Sequence, residues 1–262
     1  FKMLASLLVS HLTNPSQRWF FLEIGDGKKK PTRQESIWIR KCEDIMYKSF
    51  AESKIHQALH NVYFEGVSFG TGIMYKKVHK GKSIYLPLTV GQYYIDRDES
   101  GDVNVLVRRM TMTTESIVSQ FGYDKLPEEA KLQFDNGKRN GLHTVVHFVE
   151  PNLRFLPKWG NPYVKPFIST YYIHGESAIK DKFLEQKGMT EFPYYVLRWD
   201  QYGTSVYGTG IGRAILGDVR MLQAYERDLA KASKKKVDPP MKADPAMKTV
   251  EKNVGAGKVT YT

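Results

Sequence analysis

An α+β fold is what this 262-residue sequence predicts, and three observations carry the prediction. Apolar residues recur at helical spacing near the N-terminus and across residues 35–66. The middle of the chain breaks into short β-prone runs separated by glycine-centred turns. A single long amphipathic helix then follows and stops at Pro239-Pro240. Helices flanking hairpin strands, with no alternating strand–helix repeat, are the pattern of an α+β domain.

Taken in order, residues 1–13 place Leu4, Leu7, Leu8 and Leu12 on one helical face and end at Asn14-Pro15, where proline stops a helix. Residues 19–24 read as a short strand, residues 25–27 as a turn, and Lys28-Lys29-Lys30-Pro31 as an exposed loop. The pattern over 35–66 (Ile37, Ile39, Ile45, Met46, Phe50, Ile55, Leu59, Val62) predicts two helices divided near 50–53. Segments 70–78 and 83–88 form a hairpin around Lys80-Gly81. Segments 93–96 and 103–110 flank a turn at 99–102. Thr113 is placed to cap a helix over 114–121, and a second helix covers 127–136. Strands resume at 144–150, 167–173 and 194–199. The last helix runs from about Gly212 to Lys236, roughly 25 residues or 37 Å, too long to bury in a domain of this size. Beyond Pro240 the chain is lysine-rich with short extended pieces, one at 258–261.

Composition narrows the function. At 41% hydrophobic and 13% aromatic content the chain has the means to build a core. No apolar run approaches the roughly 20 residues a bilayer requires, so no membrane insertion is expected. Cys42 is the sole cysteine, which excludes an intrachain disulfide and reads as a small core residue. Phe1 and the β-prone run before Thr262 lead us to expect a portion of a longer polypeptide. The net charge of +11 calls for a polyanionic or acidic partner. Of it, +5 lies in residues 210–262 (11 Lys/Arg against 6 Asp/Glu), leaving +6 over the first 209 residues.

Enzymatic motifs fail on inspection. Gly81-Lys82-Ser83 imitates the end of a phosphate-binding loop, but Lys76 stands where its leading glycine belongs. Gly208-Thr209-Gly210-Ile211-Gly212 precedes a helix, yet Arg213 occupies the position of the dinucleotide fingerprint's next glycine. His56 and His60 are spaced like zinc ligands, with Gln57 in place of the general-base glutamate. His143 and His147 share a strand face without a nearby cysteine. Asp96, Asp98 and Glu99 surround a hairpin tip, where solvation accounts for them. No catalytic residue, metal site or cofactor is expected.

The last helix holds the strongest signal. Arg213, Arg220, Arg227, Lys231 and Lys234 recur at intervals of seven, seven, four and three, which puts them in one stripe, with Lys235 and Lys236 beyond. Ile215, Val219, Leu222 and Leu229 fall on the opposite side. The acids Asp218, Glu226 and Asp228 lie off the stripe. Such a helix packs sideways on protein while presenting positive charge to phosphates without reading bases.

Several segments in the same order resemble the head-to-tail connecting (portal) proteins of short-tailed phages. They are Leu12-Thr13-Asn14-Pro15 with Trp19-Phe20, Gly66-x-x-x-Gly70-Thr71-Gly72, Thr111-x-Thr113 with Gln120-Phe121-Gly122, Tyr207-Gly208-x-Gly210, Gly217-Asp218-x-x-x-Leu222, and Lys236-x-Asp238-Pro239-Pro240. Asn14 departs from the family's first proline. The resemblance implies a portal-type subunit: a large mixed wing domain of helices and antiparallel strands at 1–209, a stem helix at 210–236, and the beginning of a small clip domain at 237–262. It implies a homo-oligomeric, twelve-fold ring at one capsid vertex of the virion, assembled in the host cytoplasm. Its partners would be sequence-independent double-stranded DNA, the terminase motor, the tail adaptor and capsid or scaffold proteins.

On that reading Gly208, Gly210 and Gly212 form the wing–stem hinge through tolerance of positive φ. Leu216, Val219, Leu222, Tyr225 and Leu229 form the helix-packing face. The basic residues from Arg213 to Lys236 set channel-side or inter-subunit electrostatics, and Asp238, Pro239 and Pro240 open the clip. The alternative is a basic nucleic-acid-processing enzyme with a helical arm.

Overall fold

A computed structural model describes residues 1–25, 31–153, 164–175, 183–239, 241–243 and 259–261. The chain divides into two units, Phe1–Ile211 and Gly212–Thr262.

The first unit opens with α1 (Lys2–Leu12), α2 (Arg33–Glu52) and α3 (Ile55–Phe69). Thr32 and Glu35 form a reciprocal capping box that starts α2, satisfying two backbone donors that a helix N-terminus otherwise leaves unpaired. Gly70, at φ 97°, ends α3 in the left-handed conformation. A three-stranded antiparallel sheet in the order β2-β1-β8 follows from β1 (Thr71–His79), β2 (Lys82–Leu88) and β8 (Tyr194–Arg198). Lys80 and Gly81 make the two-residue turn between β1 and β2, both at positive φ, as a hairpin matched to strand twist requires. Pro87 lies on the edge strand β2, where proline is tolerated because a missing donor costs little there.

The second sheet is antiparallel, ordered β3 (Tyr93–Arg97), β4 (Val103–Thr113), β5 (Leu142–Pro151), β6 (Phe167–Ile173) and β7 (Glu185–Met189). The Thr113 hydroxyl accepts from the Ser116 amide and starts α4 (Thr114–Phe121); α5 (Glu128–Asp135) follows. One face of this sheet meets two partners. Near one end, Tyr93, Ile95, Leu106 and Val149 pack with Ile73, Tyr75, Leu88 and Tyr194 of the smaller sheet. Near the other, Val145, Tyr171 and Ile173 pack with Ile117 of α4, Leu126 and Ala130. A third cluster (Ile55, Ala58, Val62 and Met74) joins α3 to β1. The mixed α+β architecture with antiparallel sheets is therefore as expected.

Several expectations need correction. Residues 19–24 join no ladder. The Tyr47 hydroxyl accepts from the Trp19 and Phe20 amides (2.8 and 2.9 Å) and donates to the Phe20 carbonyl (2.9 Å). Glu43 accepts from the Leu22 amide at 2.9 Å. Side chains of α2 thus satisfy backbone groups that a partner strand would have served. Arg18 pairs with Glu43 at 3.0 Å and also with Asp44, holding the segment's near end. On α2 itself, Ile37 and Ile45 are exposed and Cys42 is half-buried, because the buried stripe runs through Ile39 and Glu43. Strand β7 was not anticipated: Glu-Gln-Lys-Gly-Met lacks the alternation of a half-buried strand. The residues 28–30 loop lies outside the described residues.

In the second unit the long helix is interrupted. A short α6 (Ile211–Ala214) gives way at Ile215 (φ −94°, ψ 4°), and α7 runs Leu216–Val237, about 33 Å at 1.5 Å per residue. Then β9 (Met241–Ala243) and β10 (Val259–Tyr261) pair in parallel. Residues 240, 244–258 and 262 lie outside the described residues.

Candidate functional site

Helix α7 buries none of its 22 residues. Val219, Leu222, Tyr225 and Leu229 are 37, 57, 65 and 68% exposed. At about 100° per residue they share an arc of some 120°, which Met221, 53% exposed, extends on one side. An isolated helix of this length is marginal in water, and most helical stability comes from covering such a face. Leu216 belongs elsewhere. It lies in line with Arg227 and Lys234, opposite Leu222 and Leu229.

Arg220, Arg227, Lys231 and Lys234 fall within about 60° of one another and are exposed. Arg213 lies in α6, before the break, so the continuous stripe starts at Arg220. Lys235 flanks the stripe, and Lys236 points nearer the apolar arc. A bland contribution is also present: Lys234, Lys235 and Lys236 occupy the last turn, where cations favour the helix dipole, and Asp218 occupies the first. Among the described residues one ion pair touches the stripe, Lys231 with Asp228 at 3.3 Å, and at that exposure it adds little stability. Asp238 ends α7, its amide donating to the Lys234 carbonyl at 2.9 Å, and Pro239 follows. Pro240 lies outside the described residues.

The glycines before this helix are not used for positive φ. Gly208 and Gly210 are buried and adopt ordinary φ. Their role is close approach. A Cβ on Gly208 would come within 2.1 Å of the Gly70 carbonyl oxygen, and one on Gly210 within 2.6 Å of the Gly70 nitrogen. Reciprocally, a Cβ on Gly70 would meet the Gly208 oxygen at 2.3 Å. The Gly208 amide donates to the Thr71 hydroxyl at 2.9 Å, the Trp199 amide to the Gly70 carbonyl at 2.9 Å, and the Ile95 amide to the Tyr207 hydroxyl at 3.2 Å. Two motifs far apart in sequence, Gly70-Thr71-Gly72 and Tyr207-Gly208-Thr209-Gly210, therefore interlock as one clasp. Gly212 sits within α6.

A polar row crosses the core face of the five-stranded sheet: Tyr93, Arg108, His147, Tyr171 and Glu185 are cross-strand neighbours in register. His147 is fully buried, with Nε2 2.8 Å from the Ser169 hydroxyl and Nδ1 2.6 Å from that of Tyr194. Tyr171 stacks flat on its ring at 3.9 Å. Burial, then the charges of Arg108 and Lys77, push His147 down to about 3, so it is neutral at neutral pH. Burial raises Tyr171 and Tyr194 well above the ordinary phenol range. No motif announced this row, because it forms by register among five separate strands.

The weaker candidates stay apart. His60 lies 3.2 Å from the Ser6 hydroxyl, His143 lies 3.0 Å from that of Thr114, and Asp98 accepts from Ser100 and the Asp102 amide within its own turn. Among the described residues no group of His, Cys, Asp and Glu is arranged to hold a metal ion, and no helix is long and apolar enough to cross a membrane. Residues 80–81 form the β1–β2 turn, which accounts for Gly81-Lys82-Ser83.

Comparison with known proteins matches residues 1–262 to the family described as bacteriophage head to tail connecting protein. The portal protein of Salmonella phage epsilon15 is 29% identical over 262 residues, covering 99% of this chain and 47% of that protein. The probable portal protein of Bordetella phage BPP-1 is 28% identical over 270 residues, again covering 99% of this chain and 47% of that protein. The chain spans about half the length of these curated relatives.

Proposed function

Because this chain belongs to the family of bacteriophage head to tail connecting proteins, a structural family and not an enzymatic one, we propose that it is the wing, stem and clip-start portion of a portal subunit. Family membership sets aside the nucleic-acid-processing enzyme. In the proposed assembly, copies form a twelve-fold ring at one capsid vertex through which DNA is packaged, retained and ejected. Residues 1–209 are the wing, 210–236 the stem and 237–262 the beginning of the clip, with Gly208, Gly210 and Gly212 at the wing–stem junction.

The observation that carries this reading is α7: 22 residues, none of them buried, with apolar side chains along one arc and cations along another. A lone chain gains nothing from leaving Leu222, Tyr225 and Leu229 in water; identical neighbours in a ring cover them. The same ring multiplies Arg220, Arg227 and Lys231 into a band that engages phosphates, or acids of an adjacent copy, without base contacts. The clip start, from Asp238 and Pro239 onward, is proposed to face terminase and later the tail adaptor. Negative-stain microscopy of the full-length protein tests the proposal: closed rings of about twelve copies with an axial hole are expected, and a monodisperse monomer at micromolar concentration refutes it.

A further inference from the structure

A cleft of about 430 Å³ opens in the first unit between the end of β1, the core faces of β6 and β7, and the segment joining β7 to β8. That size is ample for a small molecule. Tyr75 and Tyr171 line it, their hydroxyls 3.4 Å apart, together with the half-buried ring of Phe192. Ser169 is also in the wall, but its hydroxyl is already engaged by His147.

The charges are unbalanced in an informative way. Glu185 pairs with Lys187 across the cleft wall. Lys77 also lines the cleft and has no ion-pair partner among the described residues. Lys77 follows Tyr75 by two residues on β1, on the strand face whose Tyr75 ring lies 5.6 Å from that of His147, and Arg108, the cross-strand neighbour of His147, has a buried Nε without a hydrogen-bond partner. Among the described residues neither Lys77 nor Arg108 has a carboxylate within ion-pair distance, and both are half-buried. Unpaired charge in such surroundings is costly, and an anion from outside relieves it.

We propose that this cleft binds a small monocarboxylate carried on a flat apolar body, an aryl acid being the simplest case. The carboxylate pairs with Lys77 and the apolar body lies against Tyr75, Tyr171 and Phe192. Three lysines (Lys76, Lys77 and Lys187) exceed the two glutamates (Glu185 and Glu191) in the wall by one, which favours a monoanion over a dianion. Neutral His147 keeps Ser169 and Tyr194 occupied, so the tyrosine-lined floor stays fixed while the ligand enters.

Calorimetric titration and saturation-transfer NMR of the purified 262-residue chain with sodium benzoate test this, with benzyl alcohol as the uncharged match. Saturable benzoate binding with a Kd of about 1 mM or tighter is expected, with benzyl alcohol at least about tenfold weaker. Lys77→Met should weaken benzoate by at least about tenfold, whereas Lys77→Arg and the exposed control Lys82→Met should stay within about threefold of the parent. Retained binding in Lys77→Arg separates lost charge from a misfolded variant. Equal affinity for the two probes, indifference to Lys77→Met, or no binding at about 10 mM overturns the assignment.

Discussion

Replacing Leu222 and Leu229 together by aspartate attacks the one surface on which assembly is proposed to rest. Both side chains are more than half exposed in the single chain, at 57 and 68%, so the fold has little to lose when they change. Exposed substitutions of this kind cost about 0.5 kcal/mol each, with helix propensity adding a similar amount. In a ring the account differs. Full burial of a leucine is worth about 1.5–3 kcal/mol, and the fraction still available here makes that about 1–2 kcal/mol per side chain. Removing two leucines from every interface forfeits about 2–4 kcal/mol, and each aspartate adds several kcal/mol of desolvation if it is buried there. A deficit above about 5 kcal/mol per interface lowers the association constant by more than about three decades. Sedimentation velocity on the full-length protein should therefore show rings replaced by a soluble species of monomer mass that still unfolds cooperatively, its thermal transition lowered by no more than several degrees. Intact rings at parental yield refute the packing assignment. So does loss of the folded monomer, which would mean that these leucines serve the chain's own fold.

Four further outcomes follow from named residues. Gly208→Ala drives a Cβ to 2.1 Å from the Gly70 carbonyl and should cost more than about 3 kcal/mol in urea denaturation. Gly217→Ala, on α7 with open space around it, should instead favour the helix by about 1 kcal/mol, seen as increased ellipticity at 222 nm. His147, held near 3 when folded against about 6.5 unfolded, binds its proton more readily in the unfolded chain across that window. Its contribution is thus fully present above about pH 6.5 and is lost as pH falls toward 3, by up to about 1.4 kcal/mol per pH unit. His147→Gln should flatten that dependence, and an unchanged acid profile would contradict it. Replacing Arg220 and Arg227 by glutamine should reduce the slope of log K against log salt for duplex binding by the assembled ring, by about 0.9 for each phosphate that is no longer neutralised. An unchanged slope places those arginines away from DNA.

Local chemistry was legible in the sequence and long-range chemistry was not. Lys80-Gly81 gave the hairpin because two residues in a row must take positive φ, and Thr113 gave α4 because its hydroxyl acts three residues away. Residues 19–24 misled because their β-prone side chains say nothing about where the backbone bonds go; Tyr47 and Glu43 supply the partners from another element. Strand β7 hid because its polar run sits at a sheet edge. Ile215 interrupts the long helix without a proline, and although Gly212 and Gly217 bracket it, a glycine alone does not say where a helix breaks. Gly208 and Gly210 were noticed for the wrong physical reason. Glycine serves conformational freedom and close approach alike, and only the position of Gly70 beside them decides between the two. The apolar and cationic arcs of α7 are visible as periodicity, and the same period puts Leu216, expected on the packing side, in line with Arg227.

The charges on α7 raise the question of whether identical helices can stand side by side at all. Packed helices lie about 8–10 Å apart, so the nearest cations of adjacent copies would be separated by about one Debye length at physiological salt. In water each such pair costs about 0.4 kcal/mol before screening and a fraction of that after it. Six Lys/Arg against three Asp/Glu on the helix leave a net of +3, and the acids lie off the stripe, Asp218 and Glu226 within the apolar arc and Asp228 between that arc and the stripe. Attraction from those acids offsets part of a repulsion that is already small. Burial of Leu222 and Leu229, at about 1–2 kcal/mol each, exceeds what remains. In the proposed ring, apolar packing would therefore decide whether the helices associate, while the exposed cations would decide what the finished surface attracts, and the two properties could be altered separately by substituting opposite sides of one helix.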